Sequence, residues 1–144
     1  MKKKIISIVL LLLWAGLIFY LSNQPSDVSG KISGSMIKNV LSVSEVTLNL
    51  IHNPLRESMH VFVFMVFALL LLNVLVNFNV KKIYIWCFII SMLYAVTDET
   101  HQLFVPGRAF ELLDLFLDLV GIVIAKIMYF NFESCMQTIN DGKK

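Results

Sequence analysis

The chain has 144 residues, 58% of them hydrophobic and 15% charged, with a formal net charge of +2 and a mean hydropathy of +0.78. Soluble domains run near roughly 45–50% apolar and 25% charged, so a water-soluble globule and a disordered chain are both excluded. The length accommodates one bundle of about four membrane-spanning helices, with the lipid bilayer as its solvent and no appended soluble domain.

The first apolar run, about 5–21, follows Lys2, Lys3 and Lys4 and is long enough as a helix to span a bilayer. Tyr20 to Pro25 lacks the small-x-small pattern of a signal-peptide cleavage site, so an uncleaved first helix is expected. The polar connection that follows, about 22–55, contains Ile32, Met36, Ile37, Val40 and Leu41 at helical spacing. Ser42-Val43-Ser44-Glu45 matches a capping box ahead of Val46, Leu50 and Ile51. Two short amphipathic helices are therefore expected in this loop, lying in the interface or lidding the bundle. Asn53-Pro54 predicts a fresh helix start, with Asn as cap and Pro as first helical residue.

Further apolar segments follow at about 59–78, 83–97 and 112–130, the last interrupted by Asp114 and Asp118. The expected fold is an all-α integral membrane bundle of four transmembrane helices in a single domain. Lys2 to Lys4, Lys81, Lys82, Lys126, Lys143 and Lys144 flank these segments, and the positive-inside rule then places both termini in the cytoplasm. The connections at about 22–55 and 98–111 share the outer face on this topology. The lysine distribution reports orientation and gives no reason to expect a nucleic-acid partner. Cys87 and Cys135 lack metal-ligand spacing, so neither a disulfide framework nor a zinc ribbon is expected.

Chemistry-bearing residues collect at the outer ends of the predicted spans: Ser22, Gln24, Arg56, His60, Asp98, Glu99, His101, Gln102, Arg108, Glu111, Asp114 and Asp118. Arg56 and Arg108 are the only arginines, and both are among them. Ser91, Tyr94, Asp98 and His101 form one helical stripe, and Gln102 lies a turn beyond Asp98. Asp114, Asp118, Gly121 and Ala125 form another, setting two carboxylates above small residues that admit a neighbouring helix. A carboxylate at the centre of a lone membrane helix costs roughly 2.5–3.5 kcal/mol, so these acids are expected to face the bundle interior or an aqueous cavity.

Each of these features also has a structural reading. Asp114 and Asp118 serve equally well as helix-to-helix pairings with Arg56, Arg108 or His101, and His60 alone is an interfacial histidine. His52 reads as a loop or interfacial residue. Trp14, Tyr20, Trp86 and the eleven phenylalanines read as packing or lipid contact. Asp98-Glu99-Thr100-His101 spells a helicase box without any phosphate-binding loop, and no second histidine completes a HExxH zinc signature. A cation held among Asp98, Glu99, His101, His60 and Asp114 is sterically conceivable, but the spacing assigns no metal ligands and no cofactor.

The stretch Asp98-Glu99-Thr100-His101-Gln102-Leu103-Phe104-Val105-Pro106-Gly107-Arg108 resembles the DExHQxFxPGR element of the VanZ-like family of small bacterial membrane proteins. Phe19-x-x-Ser22-x-Gln24, Arg56-x-x-x-His60 and Asp114-x-x-x-Asp118-x-x-Gly121 are similar to further elements of that family. Glu57, Phe64 and Ala125 depart from it, standing where a second basic residue, a tyrosine and a second glycine are common. The resemblance implies a bacterial plasma membrane and a cell-envelope role, and the family's named member is associated with low-level resistance to teicoplanin.

Taken together, these residues predict an outward-facing site for an anionic amphiphile, such as a lipid-linked cell-wall precursor or a lipoglycopeptide. Arg56 and Arg108 would clamp its phosphate or carboxylate, because guanidinium forms charge-assisted bidentate bonds. Gln102, Ser22, Gln24, Asp114, Asp118 and Tyr94 would complete the binding surface. His101 or His60 with Asp98 or Glu99 would move a proton if chemistry follows binding. The competing class is a non-catalytic protein that shields a target or alters the envelope through a partner. A small transporter is the third, and four spans would need oligomerisation to build alternating access.

Overall fold

The structure is a computed structural model that describes residues 1–24 and 45–141, with the side chains of 45–55 and of a few residues near the C-terminus outside that description. Its described residues form four helices: α1 (Lys2–Ser22), α2 (Glu45–Asn77), α3 (Ile83–Gln102) and α4 (Leu112–Asp141). Among the described residues, three stretches are long and apolar enough to cross a membrane: Lys2–Ser22, Arg56–Asn77 and Ile83–Gln102. The all-α expectation therefore holds, and three of the four expected spans are of the required kind.

Long-range hydrogen bonds fix the direction of each helix. Trp14 Nε1 donates to Val63 O at 3.0 Å, tying the middle of α1 to the first half of the α2 span. Tyr94 Oη donates to Ala15 O at 2.7 Å, joining α3 to α1. Tyr84 at the start of α3 donates to Glu133 late in α4 at 2.6 Å. Together with contacts at the other end, Ser22 to Asp98, Arg56 to Asp114 and Glu111 to Glu99, these ties set α1 and α3 parallel to each other and antiparallel to α2 and α4. The most extensive helix pair is α2 with α4, and α2 also touches α1 and α3.

The α2–α4 approach depends on glycine. A Cβ at Gly121 would run into the Val61 carbonyl oxygen and come within 3.0 Å of Met65 N. Both obstacles are backbone and cannot rotate away, so the small-residue stripe performs its expected packing role. Ala125, one turn on, is fully buried. Phe64, Phe67, Ala68, Leu71 and Leu72 of α2 form the core with Ala95 of α3 and Ile122 of α4. Phe67 stacks on Tyr94 with ring centroids 4.7 Å apart. Outside this core, Leu12, Leu13, Leu93, Phe116 and Phe130 are exposed. An exterior this apolar belongs against lipid.

Three boundaries differ from expectation. The helix predicted to restart at Asn53-Pro54 is continuous from Glu45, and the second expected amphipathic helix is the first part of α2. A proline removes one backbone donor and crowds the preceding turn, weakening a helix there without obliging it to stop. The first expected amphipathic helix and Ser42 of the capping box lie outside the described residues. α3 runs to Gln102, where an outer loop was expected from residue 98, because its polar side chains find partners within the bundle. α4 runs on to Asp141, beyond the apolar segment that ended near residue 130.

Candidate functional site

The C-terminal ends of α1 and α3, the Arg56–His60 turn of α2 and the N-terminal end of α4 meet at one end of the bundle. The chain reaches α4 through Val105-Pro106-Gly107-Arg108, where Arg108 N donates to Val105 O at 3.1 Å. Pro106 pre-sets the first central position of this turn, and Gly107, at φ 76°, takes the left-handed second one. The turn sends the Arg108 side chain back under the helix ends. Its Nε donates to Gln24 O at 2.9 Å and its Nη2 to Leu21 O at 3.5 Å, capping carbonyls at the C-terminal end of α1. Its Nη1 donates to Gln102 Oε1 at 3.1 Å.

Gln102 passes the connection inward. Its Nε2 donates to Asp98 Oδ2 at 3.3 Å and to Glu99 Oε1 at 3.0 Å. Ser22 Oγ donates to the same Asp98 oxygen at 2.8 Å. The Glu111 backbone N–H donates to Glu99 Oε2 at 3.2 Å. Arg56 Nη2 bridges Glu111 Oε2 at 2.7 Å and Asp114 Oδ2 at 2.9 Å. One turn deeper along both helices, His60 Nδ1 lies 3.0 Å from Asp118 Oδ1 and its Nε2 lies 3.4 Å from Asp114 Oδ2.

All four helices thus share one polar network. Asp98, Glu99, Gln102, Asp114 and Asp118 are buried, with Glu99 and Asp118 fully so. The acids of the two sequence stripes do face the interior. Arg56 and Glu111 are the exposed members, with side chains 44% and 43% accessible. Burial, and after it the nearby Arg56 guanidinium, hold Arg108 below its ordinary value, while Asp98, Glu99 and Asp114 pull the other way.

Three predicted site residues sit differently from the rest. Gln24 meets Arg108 through its backbone carbonyl. Tyr94 commits its hydroxyl to the backbone of α1, a turn away from Asp98. His101 stacks on Phe19 with ring centroids 4.5 Å apart, and its buried Nε2 has no hydrogen-bond partner among the described residues. Among the described residues, the histidine in hydrogen-bond contact with a carboxylate is His60, through Asp118. Among the described residues, His60, Glu99 and Asp118 each bring one potential metal-ligand atom within 4.8 Å of the other two.

Glu111 is the member that the sequence reading placed near the cluster without assigning it to the site. It joins Glu99 through its backbone N–H and Arg56 through its carboxylate. Its only sequence signal is its position immediately before the carboxylate-bearing helix.

The fold and the network define a membrane protein: an apolar helical bundle with a buried, hydrogen-bonded acid–base cluster at one end. The model of the VanZ/LLP1 family matches residues 7–133, so the chain belongs to the VanZ/LLP1 family. Neither the curated proteins nor the solved structures give a match.

Proposed function

We propose that the polar end binds an anionic amphiphile at the extracytoplasmic face of a bacterial plasma membrane, in a protein with four spans and both termini in the cytoplasm. The observation that carries this reading is the convergence of both arginines on one end of the bundle, with Arg56 half-exposed at its rim. Lys2, Lys3, Lys4, Lys81 and Lys82 fall at the opposite end, as expected of a cytoplasmic face. α4 would be the fourth span, with its carboxylates carried inside the bundle by Arg56 and His60.

The Arg56–Glu111 contact is exposed enough to be weak, so an incoming phosphate or carboxylate can replace Glu111 on the guanidinium. Arg108 lies close enough to feel the Arg56 charge, and an anion between the two relieves that repulsion. The ligand's tail stays in the bilayer. A lipid-linked cell-wall precursor or a lipoglycopeptide such as teicoplanin has this chemistry. Where a reaction follows, His60, flanked by Asp118 and Asp114, is the group placed to move a proton.

Binding without catalysis is the second reading, favoured by the stacking of His101 on Phe19. Teicoplanin susceptibility, with vancomycin as comparator, separates the two in cells holding equal membrane levels of wild type, His60→Gln, Asp118→Asn and Arg108→Ala. Loss of a teicoplanin-selective effect in all three makes the whole network functional. Loss in Arg108→Ala alone supports binding without catalysis. No effect from the wild type removes the resistance role.

A further inference from the structure

Among the described residues, the charges at the polar end do not balance. Asp98, Glu99, Glu111, Asp114 and Asp118 are five carboxylates in one network, facing the two guanidiniums of Arg56 and Arg108. Fully ionised, these seven described groups leave an excess of three negative charges, which a bound cation is suited to offset. Removing such charges from water is expensive unless they are paired and hydrogen-bonded. Yet Asp98 Oδ1, Asp114 Oδ1 and Asp118 Oδ2 are buried without a hydrogen-bond partner among the described residues.

We propose that His60, Glu99 and Asp118 form a divalent-cation site buried between α2, α3 and α4. The three residues come from three helices, and both carboxylates are fully buried. The partnerless Oδ2 belongs to the carboxylate whose Oδ1 meets His60. Nitrogen and oxygen ligands lie about 2.0–2.2 Å from such an ion and hence no more than about 4.4 Å from each other. The present spread of up to 4.8 Å closes with small side-chain rotations.

One imidazole with two carboxylates suits Mn²⁺ or Zn²⁺ better than a soft ion that prefers thiolates. With Nδ1 turned to the cation, Nε2–H remains to donate to Asp114 Oδ2, now 3.4 Å away, which Arg56 in turn holds. That is the carboxylate–histidine–metal arrangement that orients a metal-bound imidazole. The site lies one helical turn inward from Arg56 and Asp114. It stands whether or not an amphiphile binds above it.

The test uses the purified full chain in detergent micelles, stripped of metal and titrated with Mn²⁺ or Zn²⁺. One ion per chain is expected. His60→Gln, Glu99→Gln and Asp118→Asn should each weaken binding more than about 100-fold, and Asp114→Asn about 10–100-fold as the outer partner of the histidine. Glu133→Gln, at the far end of the bundle, should bind as the wild type does. Bound Mn²⁺ should show nitrogen coupling from a single imidazole in its electron paramagnetic resonance. That signal is read on the wild-type chain, so it decides the matter even where a variant fails to fold. Retention of neither ion by the folded wild type, full binding by Glu99→Gln and Asp118→Asn, or a Mn²⁺ signal without nitrogen coupling would overturn the proposal.

Discussion

The two ends of this bundle are held together by different physics. Among the described residues at the lysine end the polar ties are few and peripheral: Tyr84 bonds Glu133, Lys126 lies over the Tyr84 ring, and Lys4 lies over Phe78. At the arginine end, buried carboxylates of α3 and α4 meet partners on α1 and α2. Helices that pack adequately at one end without buried charge do not need it for adhesion at the other. Buried ionic groups are often replaceable by well-packed apolar residues without loss of stability. The contrast therefore separates a scaffold, carried by Gly121, Phe64, Leu72 and their neighbours, from the polar cluster to which the proposed function assigns binding.

Substitutions that probe this contrast should differ in size and in kind. The largest effect is expected for His60→Leu, which strands the fully buried Asp118 and should destabilise the protein by about 3–5 kcal/mol in detergent unfolding. The double variant His60→Leu with Asp118→Leu should recover most of that stability while losing the site's activity. Recovery of both would mean that the pair is only a helix tie. Gly121→Ala should cost about 1–3 kcal/mol, because backbone at Val61 and Met65 stands in the way of the new methyl group. Its loss should appear as lowered thermal stability with unchanged ligand affinity in the protein that remains folded.

Smaller effects follow from single hydroxyls. Tyr94→Phe removes the bond to Ala15 O and should cost about 0.6–1.7 kcal/mol in detergent unfolding, the range for interhelical hydrogen bonds in membranes. Unchanged ligand affinity would make Tyr94 structural, and a tenfold loss would return it to the site. Tyr84→Phe at the lysine end should cost about 0.5 kcal/mol, with teicoplanin susceptibility unaltered. A functional loss there would erase the distinction between the two ends.

Much of the fold was legible because membrane helices announce themselves by continuous apolar runs, and the stripes of Asp98 with His101 and of Asp114 with Gly121 follow from helical spacing alone. Those stripes correctly turned the acids inward. Sequence distance hid the pairing itself, since His60 and Asp118 lie on different helices and meet only after α2 and α4 pack in parallel. The end of α3 was misplaced because polarity after Thr97 resembles a loop until Ser22 and Glu111 supply partners. Pro54 misled in the opposite sense, as a helix-start signal inside a helix that continues. Glu111 escaped assignment because half of its contribution is a backbone N–H, which no residue type encodes.

The most direct test of the central claim is equilibrium binding of a polyprenyl phosphate to the purified chain, compared among wild type, Arg56→Ala, Arg108→Ala and Glu133→Gln. The account predicts saturable binding that both arginine variants weaken roughly 10–100-fold, in line with the loss of one charge-assisted hydrogen-bond partner, while Glu133→Gln matches the wild type. Equal affinity in all four folded proteins would contradict it.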